Sequence, residues 1–365
     1  MMKIAIDCRM SGKSGIGGFL DGILPYLMDS GNELLLIGGN IDVEGRKNVT
    51  CLPCDIGTFS IKETFFFPKE LSKQINQCDL YFTPYCNIPS GIKVPVYSTI
   101  HDIVFLDVKG LSGRVGTFVR KLFYKHAIKK SKMVFTVSEF SKSRIIEKLH
   151  CKKPLEVVYG GVPQYLLDFD GKQIDKDSSL IFIGNIKHHK GLQTLLPAFT
   201  KFRSKLAAQG KGDVKLVIVG SKDNFRTQDN SFDSYIQSGE SNGIEFTGYL
   251  SDQELLLRLT KARILVQPSL YEGFGMPPLQ ALYVGTRALI SDIPVFKEIY
   301  KDLPVSFFHV CDEEDLQAQL EKMWDEPDEL PAFERIYSFE RTASIILKAF
   351  NYKSEKSKSG AIWKV

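Results

Sequence analysis

The chain has 365 residues, 43% of them apolar and 25% charged, which is the balance of a soluble globular protein with room for two domains. The net charge of +4 is too small to indicate a nucleic-acid partner, and we expect none. No signal-peptide pattern and no run of about 18 apolar residues is present, so we expect a cytoplasmic protein without a membrane-spanning helix.

The seven cysteines are scattered along the chain, and this odd number without a secretion signal indicates reduced thiols. Cys51-Leu-Pro-Cys54 has the spacing of half a zinc site. No second pair of Cys or His residues lies at a matching distance, so we predict ordinary cysteines there.

Strand and helix patterns alternate along the chain, and the alternation starts twice. The first series comprises strands at Lys3–Cys8, Leu34–Ile37, Val94–Ile100, Met133–Val137 and Leu155–Val158, with a helix at Gly17–Leu27. The second comprises strands at Leu180–Ile183, Val214–Val219, Glu245–Phe246, Ile264–Gln267 and Arg287–Ile290, with helices at Gly191–Leu206, Ser251–Ala262, Pro277–Gly285 and Ser338–Phe350. This alternation predicts an α/β fold of two doubly wound parallel sheets, which face each other across a cleft.

The turn-rich segment Gly160–Pro163 and the polar stretch after it indicate the boundary between the two units. We predict domains at 1–165 and 166–340, followed at 341–365 by a helix that crosses back to the N-terminal domain and a polar tail. Ligands of open parallel sheets bind beyond the carboxyl ends of the strands, so the chemistry is expected in the loops that follow the strands.

The first such loop, Met10–Gly18, is rich in glycine and precedes a predicted helix. Glycines let a phosphate approach the backbone, and a helix N-terminus presents N–H groups to it. The loop fits neither the dinucleotide-binding fingerprint nor the phosphate loop of nucleoside triphosphatases. A plain flexible turn is the alternative interpretation.

The second loop, Ile183–Lys190, again joins a strand to a helix and contains Lys187 and Lys190. Two ammonium groups at this position suit a diphosphate whose negative charge rises as it leaves. A solvated basic loop is equally consistent with the spacing alone.

The third loop, Ser269–Gly285, places Glu272 between a strand end and a helix start. Pro277 and Pro278 fit the first turn of that helix. Glu272 suits a contact to sugar hydroxyls, or it caps the helix as a carboxylate near the N-terminal dipole.

The segment Tyr271–Gln280 resembles the Glu-x7-Glu region of retaining glycosyltransferases with the GT-B fold, of the family 4 type, which includes bacterial mannosyl-, galactosyl- and glucosyltransferases of surface polysaccharides. Further motifs match in order: the N-terminal glycine loop, His101-Asp102, Val137–Ser141, Gly184–Lys190, Val217–Gly220 and Phe246–Ser251. The resemblance covers about residues 3–350. It implies two Rossmann-like domains, the N-terminal one binding the acceptor and the C-terminal one binding a nucleotide sugar.

The resemblance also implies a role for individual residues. The catalytic ones are His101 near the reacting carbon, Lys190 at the leaving diphosphate and Glu272 at hydroxyls of the transferred sugar, with Asp102 supporting the His101 loop. The donor-binding ones are Gly17 and Gly18 over the phosphates, Lys187 beside Lys190, the main chain of Phe274, Gly275 and Met276, Tyr249 and Leu250 against the base, and Gln280 at the ribose.

Gln280 departs from the family pattern, which has a second glutamate there. A glutamine oxygen still accepts a hydrogen bond from a ribose hydroxyl, but the bond lacks the assistance of a charge. We therefore expect weaker donor binding and no role for Gln280 as a catalytic base.

The resemblance implies a front-face reaction in which the leaving phosphate helps to deprotonate the acceptor. We expect no cofactor besides the nucleotide-sugar co-substrate and no bound metal. Asp168-Phe-Asp170 falls in the predicted linker and is interpreted as solvated.

A basic amphipathic helix is predicted at Arg114–Lys132, a stretch without acidic residues. Its charged residues are Arg114, Arg120, Lys121, Lys125, Lys129, Lys130 and Lys132, and its apolar ones are Val115, Phe118, Val119, Leu122, Phe123 and Ile128. Such a helix suits an anionic membrane surface, where a lipid-linked acceptor would lie, so we expect the protein at the inner face of the cell membrane. In the alternative interpretation, it is a surface helix whose apolar face packs on the N-terminal sheet.

The sequence thus predicts transfer of a hexose, from GDP-mannose first and a UDP- or dTDP-sugar next, to a lipid-linked or oligosaccharide acceptor. The setting would be synthesis of O-antigen, capsule or exopolysaccharide. Two alternatives stay open: a nucleotide-sugar epimerase of similar shape, and a degenerate binding subunit without catalysis, for which Gln280 is the one indication.

Overall fold

The computed structural model describes residues 1–39, 41–169, 174–220 and 242–351. It contains two parallel sheets. The first has strands β1 Lys3–Asp7, β2 Glu33–Ile37, β3 Val49–Leu52, β4 Leu80–Thr83, β5 Val96–Thr99, β6 Ser131–Thr136 and β7 Leu155–Val157. The second has β8 Ser179–Ile183, β9 Lys215–Val219, β10 Ile244–Gly248, β11 Ile264–Gln267, β12 Arg287–Ser291 and β13 Val305–Phe308.

Helices connect these strands in the right order for a doubly wound fold. They span Ser14–Met28, Ile61–Phe65, Lys69–Ile75, Val104–Asp107, Arg114–Lys130, Glu139–Leu149, Gln164–Leu167, Leu192–Ala208, Asp252–Lys261, Met276–Tyr283, Pro294–Tyr300, Glu313–Asp325 and Phe339–Phe350, with a short 3₁₀ turn at His188–Lys190. None of the described helices is long and apolar enough to cross a membrane.

The three loops singled out in the sequence lie where the strand order of each sheet reverses. The first sheet runs β3-β2-β1-β4-β5-β6-β7 and the second runs β10-β9-β8-β11-β12-β13. The order reverses beside β1 in the first sheet and between β8 and β11 in the second, and such switch points are where ligands bind in open parallel sheets. The three loops singled out in the sequence follow β1, β8 and β11.

The strands are apolar almost without interruption because helices cover both faces of each sheet. In β1, Ile4, Ala5 and Ile6 are fully buried, as are Ile264, Leu265 and Val266 in β11. The predicted fold class, with two Rossmann-like parallel sheets, is confirmed.

The predicted elements lie where the structure has them, within a few residues at each end, but several elements were missed. β4 is a run of four apolar and polar residues, too short to show a period. β3 lies at the sheet edge and exposes Thr50 and Cys51, so it lacks the apolar pattern of a buried strand. The predicted helix 114–132 ends at Lys130, and Lys132 belongs to β6, so that boundary was wrong.

The Phe339–Phe350 helix returns to the N-terminal sheet. The Phe350 ring lies 4.9 Å from Tyr97 and 5.6 Å from Phe82, centroid to centroid. A methyl group at Gly22 would lie 2.2 Å from the Phe339 ring, so a glycine is needed there for close helix packing.

The chain passes from the first sheet to the second between β7 and β8, whereas the domain limits at 165 and 340 stay a prediction. Asp170 and the tail after residue 351 lie outside the described residues.

Candidate functional site

Glu272 and Lys190 form a partly buried ion pair at the switch point of the second sheet. The Lys190 Nζ donates to both carboxylate oxygens, at 2.7 and 2.8 Å, and the Ser269 hydroxyl donates to Oε1 at 2.7 Å. Burial by itself raises the pKa of Glu272, but Lys190 and Ser269 outweigh it and hold the pKa below its usual value. Glu272 is therefore an ionised carboxylate whose oxygens are fixed in position.

Glu272 does not cap the following helix, so that alternative was wrong. The Met276–Tyr283 helix has Gly275 as its N-cap residue, without a side-chain capping bond, and carries proline at its start. Gly275 has φ 82°, and a methyl group there would lie 2.4 Å from Phe296, so both the backbone conformation and the space require glycine. This helix begins four residues after Glu272; because Pro277 and Pro278 have no N–H and Leu279 N donates to the Tyr300 hydroxyl at 3.2 Å, its first turn offers an anion the helix dipole and at most the Met276 N–H.

The loop after β8 brings Lys190 to Glu272 by a tight turn. Lys190 N donates to the Lys187 carbonyl at 2.9 Å, and Gly191 follows with φ 76°. A methyl group at Gly191 would lie 1.7 Å from the Pro268 carbonyl oxygen, so glycine lets the two loops touch. The ion pair with Glu272 excludes the solvated-loop interpretation for Lys190. Lys187 is exposed along its side chain, yet partial burial and the neighbouring Lys190 lower the pKa of its ammonium group, and its role beside Lys190 stays a prediction.

His101, from the N-terminal half of the protein, lies next to the loop that carries Glu272. Its Nε2 lies 2.9 Å from the Pro84 carbonyl oxygen and its ring meets Phe19 edge-on at 5.0 Å. Burial lowers the pKa of His101 to about 4, so the ring is neutral near pH 7. Because a carbonyl only accepts, Nε2 carries the proton and Nδ1 is left as an acceptor. Asp102 accepts from Val104 N at 3.0 Å, which fixes the turn after His101.

The backbone of His101 lies directly against the Glu272 loop. A methyl group at Gly273 would lie 2.8 Å from the His101 carbonyl oxygen. The structure therefore brings together His101, Lys190 and Glu272, although they are far apart in sequence and come from two sheets. Their catalytic roles stay a prediction.

The glycine loop Met10–Gly18, which follows β1, approaches the start of the Met276–Tyr283 helix. The helix begins at Ser14 rather than at the predicted Gly17, so Gly17 and Gly18 lie inside its first turns and not in a flexible turn. A methyl group at Gly17 would lie 2.2 Å from the Met10 carbonyl oxygen, and one at Gly18 would lie 3.7 Å from the Met276 side chain. Gly18 is therefore a point where the two halves face each other closely.

The remaining predicted donor-binding residues differ in exposure. Tyr249 is 71% exposed, and its hydroxyl donates to the Asn185 side chain at 3.2 Å. Leu250 is partly buried against the core, and Gln280 is 8% exposed on the helix that begins beside Glu272. The Phe274 side chain is buried, 5.4 Å from Tyr337 between ring centroids, so only its main chain can face a ligand.

The Arg114–Lys130 helix exposes much of its apolar side. The exposed fractions are 77% for Val115, 62% for Phe118, 42% for Val119 and 51% for Leu122. Its buried residues, Tyr124, Ala127 and Ile128, all lie in its second half. The alternative of an apolar face packed on the sheet is thus wrong for the first half of the helix and correct for the second.

A second exposed apolar group was missed in the sequence. Phe59, Ile61, Phe65 and Phe66 are 53%, 68%, 65% and 72% exposed. The available signal was the aromatic run at residues 65–67, which fits no strand or helix period. Within the described ranges, no three His, Cys, Asp or Glu side chains are grouped as metal ligands, and metal independence stays a prediction.

Residues 167–336 match the family model for glycosyl transferases group 1. The O-antigen chain mannosyltransferase RfbU of Salmonella typhimurium is 26% identical over 60% of this chain, and the match spans only 59% of that relative. An uncharacterized glycosyltransferase of Methanocaldococcus jannaschii, MJ1607, is 23% identical over 82% of this chain and 83% of its own.

Among solved structures, Anabaena HepE in complex with UDP-glucose superposes with a TM-score of 0.65 at 15% identity. The superposition covers 96% of this chain and 95% of that one, and at this identity it supports the fold alone.

Proposed function

We propose that this protein, a glycosyltransferase of the GT-B fold that resembles bacterial surface-polysaccharide mannosyltransferases, moves a hexose from a nucleotide diphosphate sugar to a glycan or lipid-linked acceptor and retains the anomeric configuration. The observation that carries the proposal is the ionised Glu272, paired with Lys190 at a switch point and adjoining a helix N-terminus. A fixed carboxylate suits sugar hydroxyls, while an ammonium group and a helix dipole suit a diphosphate.

When a donor binds, both members of the Glu272–Lys190 ion pair exchange hydrogen-bond partners. Sugar hydroxyls donate to Glu272, and the diphosphate oxygens compete for the Lys190 ammonium group. During transfer, the bond from the anomeric carbon to the β-phosphate oxygen breaks, and a bond to the acceptor oxygen forms on the same face. The acceptor proton passes to the leaving phosphate, whose growing negative charge Lys190 and the Met276 helix end stabilise. In this proposal the reacting carbon lies beside His101, whose ring is neutral near pH 7 and adds no positive charge.

GDP-mannose is the first candidate donor because the relatives with printed activities include O-antigen mannosyltransferases. A UDP-sugar is the second, since HepE binds UDP-glucose.

Thermal unfolding with GDP, UDP and dTDP separates these donors. The matching nucleotide at 100 times its Kd stabilises the protein by about 2.7 kcal/mol. We expect one nucleotide to raise the melting temperature clearly more than the others, and no rise with any of them contradicts the proposed site.

The first half of the Arg114–Lys130 helix supports contact with an anionic membrane, where a lipid-linked acceptor would reside. Its exposed apolar residues lie beside Lys121, and the exposed Lys125 and Lys129 continue the basic side into the second half of the helix. The second exposed apolar group at Phe59–Phe66 lies in the same N-terminal half of the protein. Arg120 stacks on the Phe105 ring at 4.1 Å and donates to Ser112, so it has a structural role and is not a good target for mutation.

Changing Lys121, Lys125 and Lys129 to Glu is expected to weaken binding to phosphatidylglycerol vesicles about 100-fold or more, because each charge near the lipid contributes about 1 kcal/mol. Vesicle co-sedimentation measures the loss. The matched control changes Lys47, Lys152 and Lys153 to Glu, which alters the net charge equally but lies off the helix. Equal binding by both triple variants would show that the helix is not the membrane contact.

A further inference from the structure

The short turn that carries Glu272 is held from the N-terminal half of the protein on both sides of that residue. The Tyr271 hydroxyl donates to Asp107 Oδ2 at 3.0 Å. The Gly273 carbonyl oxygen accepts from the Ser138 hydroxyl at 2.6 Å. Asp107 and Ser138 belong to the first sheet's loops and helices, whereas Tyr271–Gly273 follows β11 of the second sheet.

Asp107 is a rigid acceptor for Tyr271. Arg144 holds it with two parallel hydrogen bonds, Nε to Oδ2 and Nη2 to Oδ1, both at 2.8 Å. The Asp107 side chain is 6% exposed, so its carboxylate is shielded from water, although Arg144 is partly exposed. A charge-assisted bond to such a fixed carboxylate restrains the Tyr271 hydroxyl closely. The Phe140 ring packs against Tyr271 at 5.4 Å and limits its side-chain rotation.

Ser138 is equally well fixed. It is fully buried as the N-cap of the Glu139–Leu149 helix, where its oxygen accepts from Ser141 N at 3.0 Å while its proton goes to Gly273. The same helix start is tied to the C-terminal half a second time, since Glu298 accepts from Glu139 N at 2.8 Å and Phe140 N at 2.7 Å. The helix end therefore cannot shift without disturbing the turn.

We propose that Asp107 and Ser138 are positioning residues for the donor sugar: from the N-terminal half, Asp107 holds the Tyr271 side chain and Ser138 holds the Gly273 carbonyl, and together they orient the Glu272 carboxylate between them. The inference rests on the proposed function, in which Glu272 binds the sugar. When a diphosphate draws the Lys190 ammonium group away, Glu272 loses its strongest partner. The contacts of Tyr271 and Gly273 are then what keep the carboxylate in place.

Tyr271→Phe removes only the hydroxyl, and Ser138→Ala removes only the hydroxyl at the helix cap. We expect Tyr271→Phe to lower the rate constant for hexose transfer about tenfold, as for loss of a hydrogen bond to a charged group, and Ser138→Ala to lower it about fivefold, as for loss of a neutral bond, with nucleoside diphosphate binding unchanged. Asp107→Ala removes the acceptor of the Tyr271 hydroxyl, so adding Tyr271→Phe to it should slow transfer no further than Asp107→Ala alone, because the Tyr271–Asp107 bond is already lost. Ser138→Thr, which keeps the hydroxyl, should restore the rate.

The controls separate positioning from general destabilisation. Tyr26→Phe and Ser143→Ala remove hydroxyls bonded to Gln164 and to the Phe140 carbonyl, and should leave transfer within twofold of the parent. Hydrogen exchange of residues 270–275 needs no ligand: it should become about tenfold faster in Tyr271→Phe and Ser138→Ala, and not in the controls.

Assays with GDP-mannose and with UDP-glucose, using Glu272→Gln as reference, decide the outcome. If Glu272→Gln abolishes transfer while Tyr271→Phe and Ser138→Ala keep full rate, the positioning role is refuted and the proposed function stands. Unchanged exchange at residues 270–275 also refutes it, whatever the donor. If Glu272→Gln keeps full transfer, the sugar anchor itself is wrong, and the positioning role falls with it.

Discussion

Replacing Glu272 by Gln is expected to slow hexose transfer at least 100-fold without weakening nucleoside diphosphate binding, since the change leaves Lys190 free for the diphosphate. The amide has the same shape, but it lacks the charge that strengthens hydrogen bonds from two sugar hydroxyls, each contributing about 1.5–3 kcal/mol. Because those hydroxyls belong to the transferred hexose, the loss affects the sugar and not the nucleotide. Steady-state transfer kinetics and nucleotide titration measure the two effects separately.

Glu245→Gln is the matched control. Glu245 lies in the same half and pairs with Arg258 at 2.7 Å on the surface. Its replacement should leave transfer unaffected, since exposed ion pairs contribute little. A Glu272→Gln variant with the rate of the parent would exclude Glu272 as the sugar anchor.

Replacing Lys190 by Met is expected to abolish measurable transfer and, unlike Glu272→Gln, to weaken nucleoside diphosphate binding as well. The change removes the cation for the leaving group and leaves a buried carboxylate without its partner. Breaking one side of a buried ion pair destabilises a protein by about 3–5 kcal/mol, and we expect the lower end because the Lys190 side chain is 20% exposed. Urea unfolding measures the stability and the transfer assay the activity.

The pH dependence of the free energy of unfolding is a second test of the Lys190 prediction. In the parent, the pKa of Glu272 lies below its usual 4.5, so the stability it contributes is present at neutral pH and is lost as pH falls through the lowered pKa. Without Lys190, burial raises that pKa, and the ionised carboxylate then destabilises the fold as pH rises above the unfolded-state value. The variant should therefore be relatively more stable in mild acid than at pH 8.

Lys205→Met, which breaks an exposed pair with Glu321 at 2.6 Å, is the control and should cost at most about 1 kcal/mol. Adding Glu272→Gln to Lys190→Met should recover stability but not activity. If Lys190→Met binds nucleoside diphosphates as the parent does, the diphosphate is not held at Lys190.

The sequence predicted the parts of the site that depend on local order. Strand-loop-helix boundaries marked the loops of Gly17, Lys190 and Glu272, and parallel strands bring such loops to one edge of each sheet. The resemblance then singled out His101, which no local pattern distinguishes. The same reasoning could not decide between a sugar contact and a helix cap for Glu272, because the two need the same residue at the same place.

What could not be predicted are contacts between residues distant in the chain. Lys190 and Glu272 lie 82 positions apart, and Tyr271 and Asp107 lie 164 apart, so no period or spacing connects them. The exposed face of Val115–Leu122 was ambiguous for a related reason: an amphipathic helix has the same pattern whether its apolar side meets a sheet or a membrane. Only the packing of the apolar side distinguishes a sheet-bound helix from a membrane-bound one. In this helix, the first half exposes its apolar side chains and the second half buries them.

The most direct measurement is transfer of radiolabelled hexose from a nucleotide sugar to lipid-linked acceptors extracted from bacterial membranes, with GDP-mannose and UDP-glucose tested in turn. We predict that the purified protein moves label into the lipid fraction in the linkage configuration of the donor, releases one nucleoside diphosphate per hexose transferred, and loses both activities with Glu272→Gln. Conversion of the nucleotide sugar to its epimer without any acceptor, or transfer that is unaffected by Glu272→Gln, would contradict the proposed function.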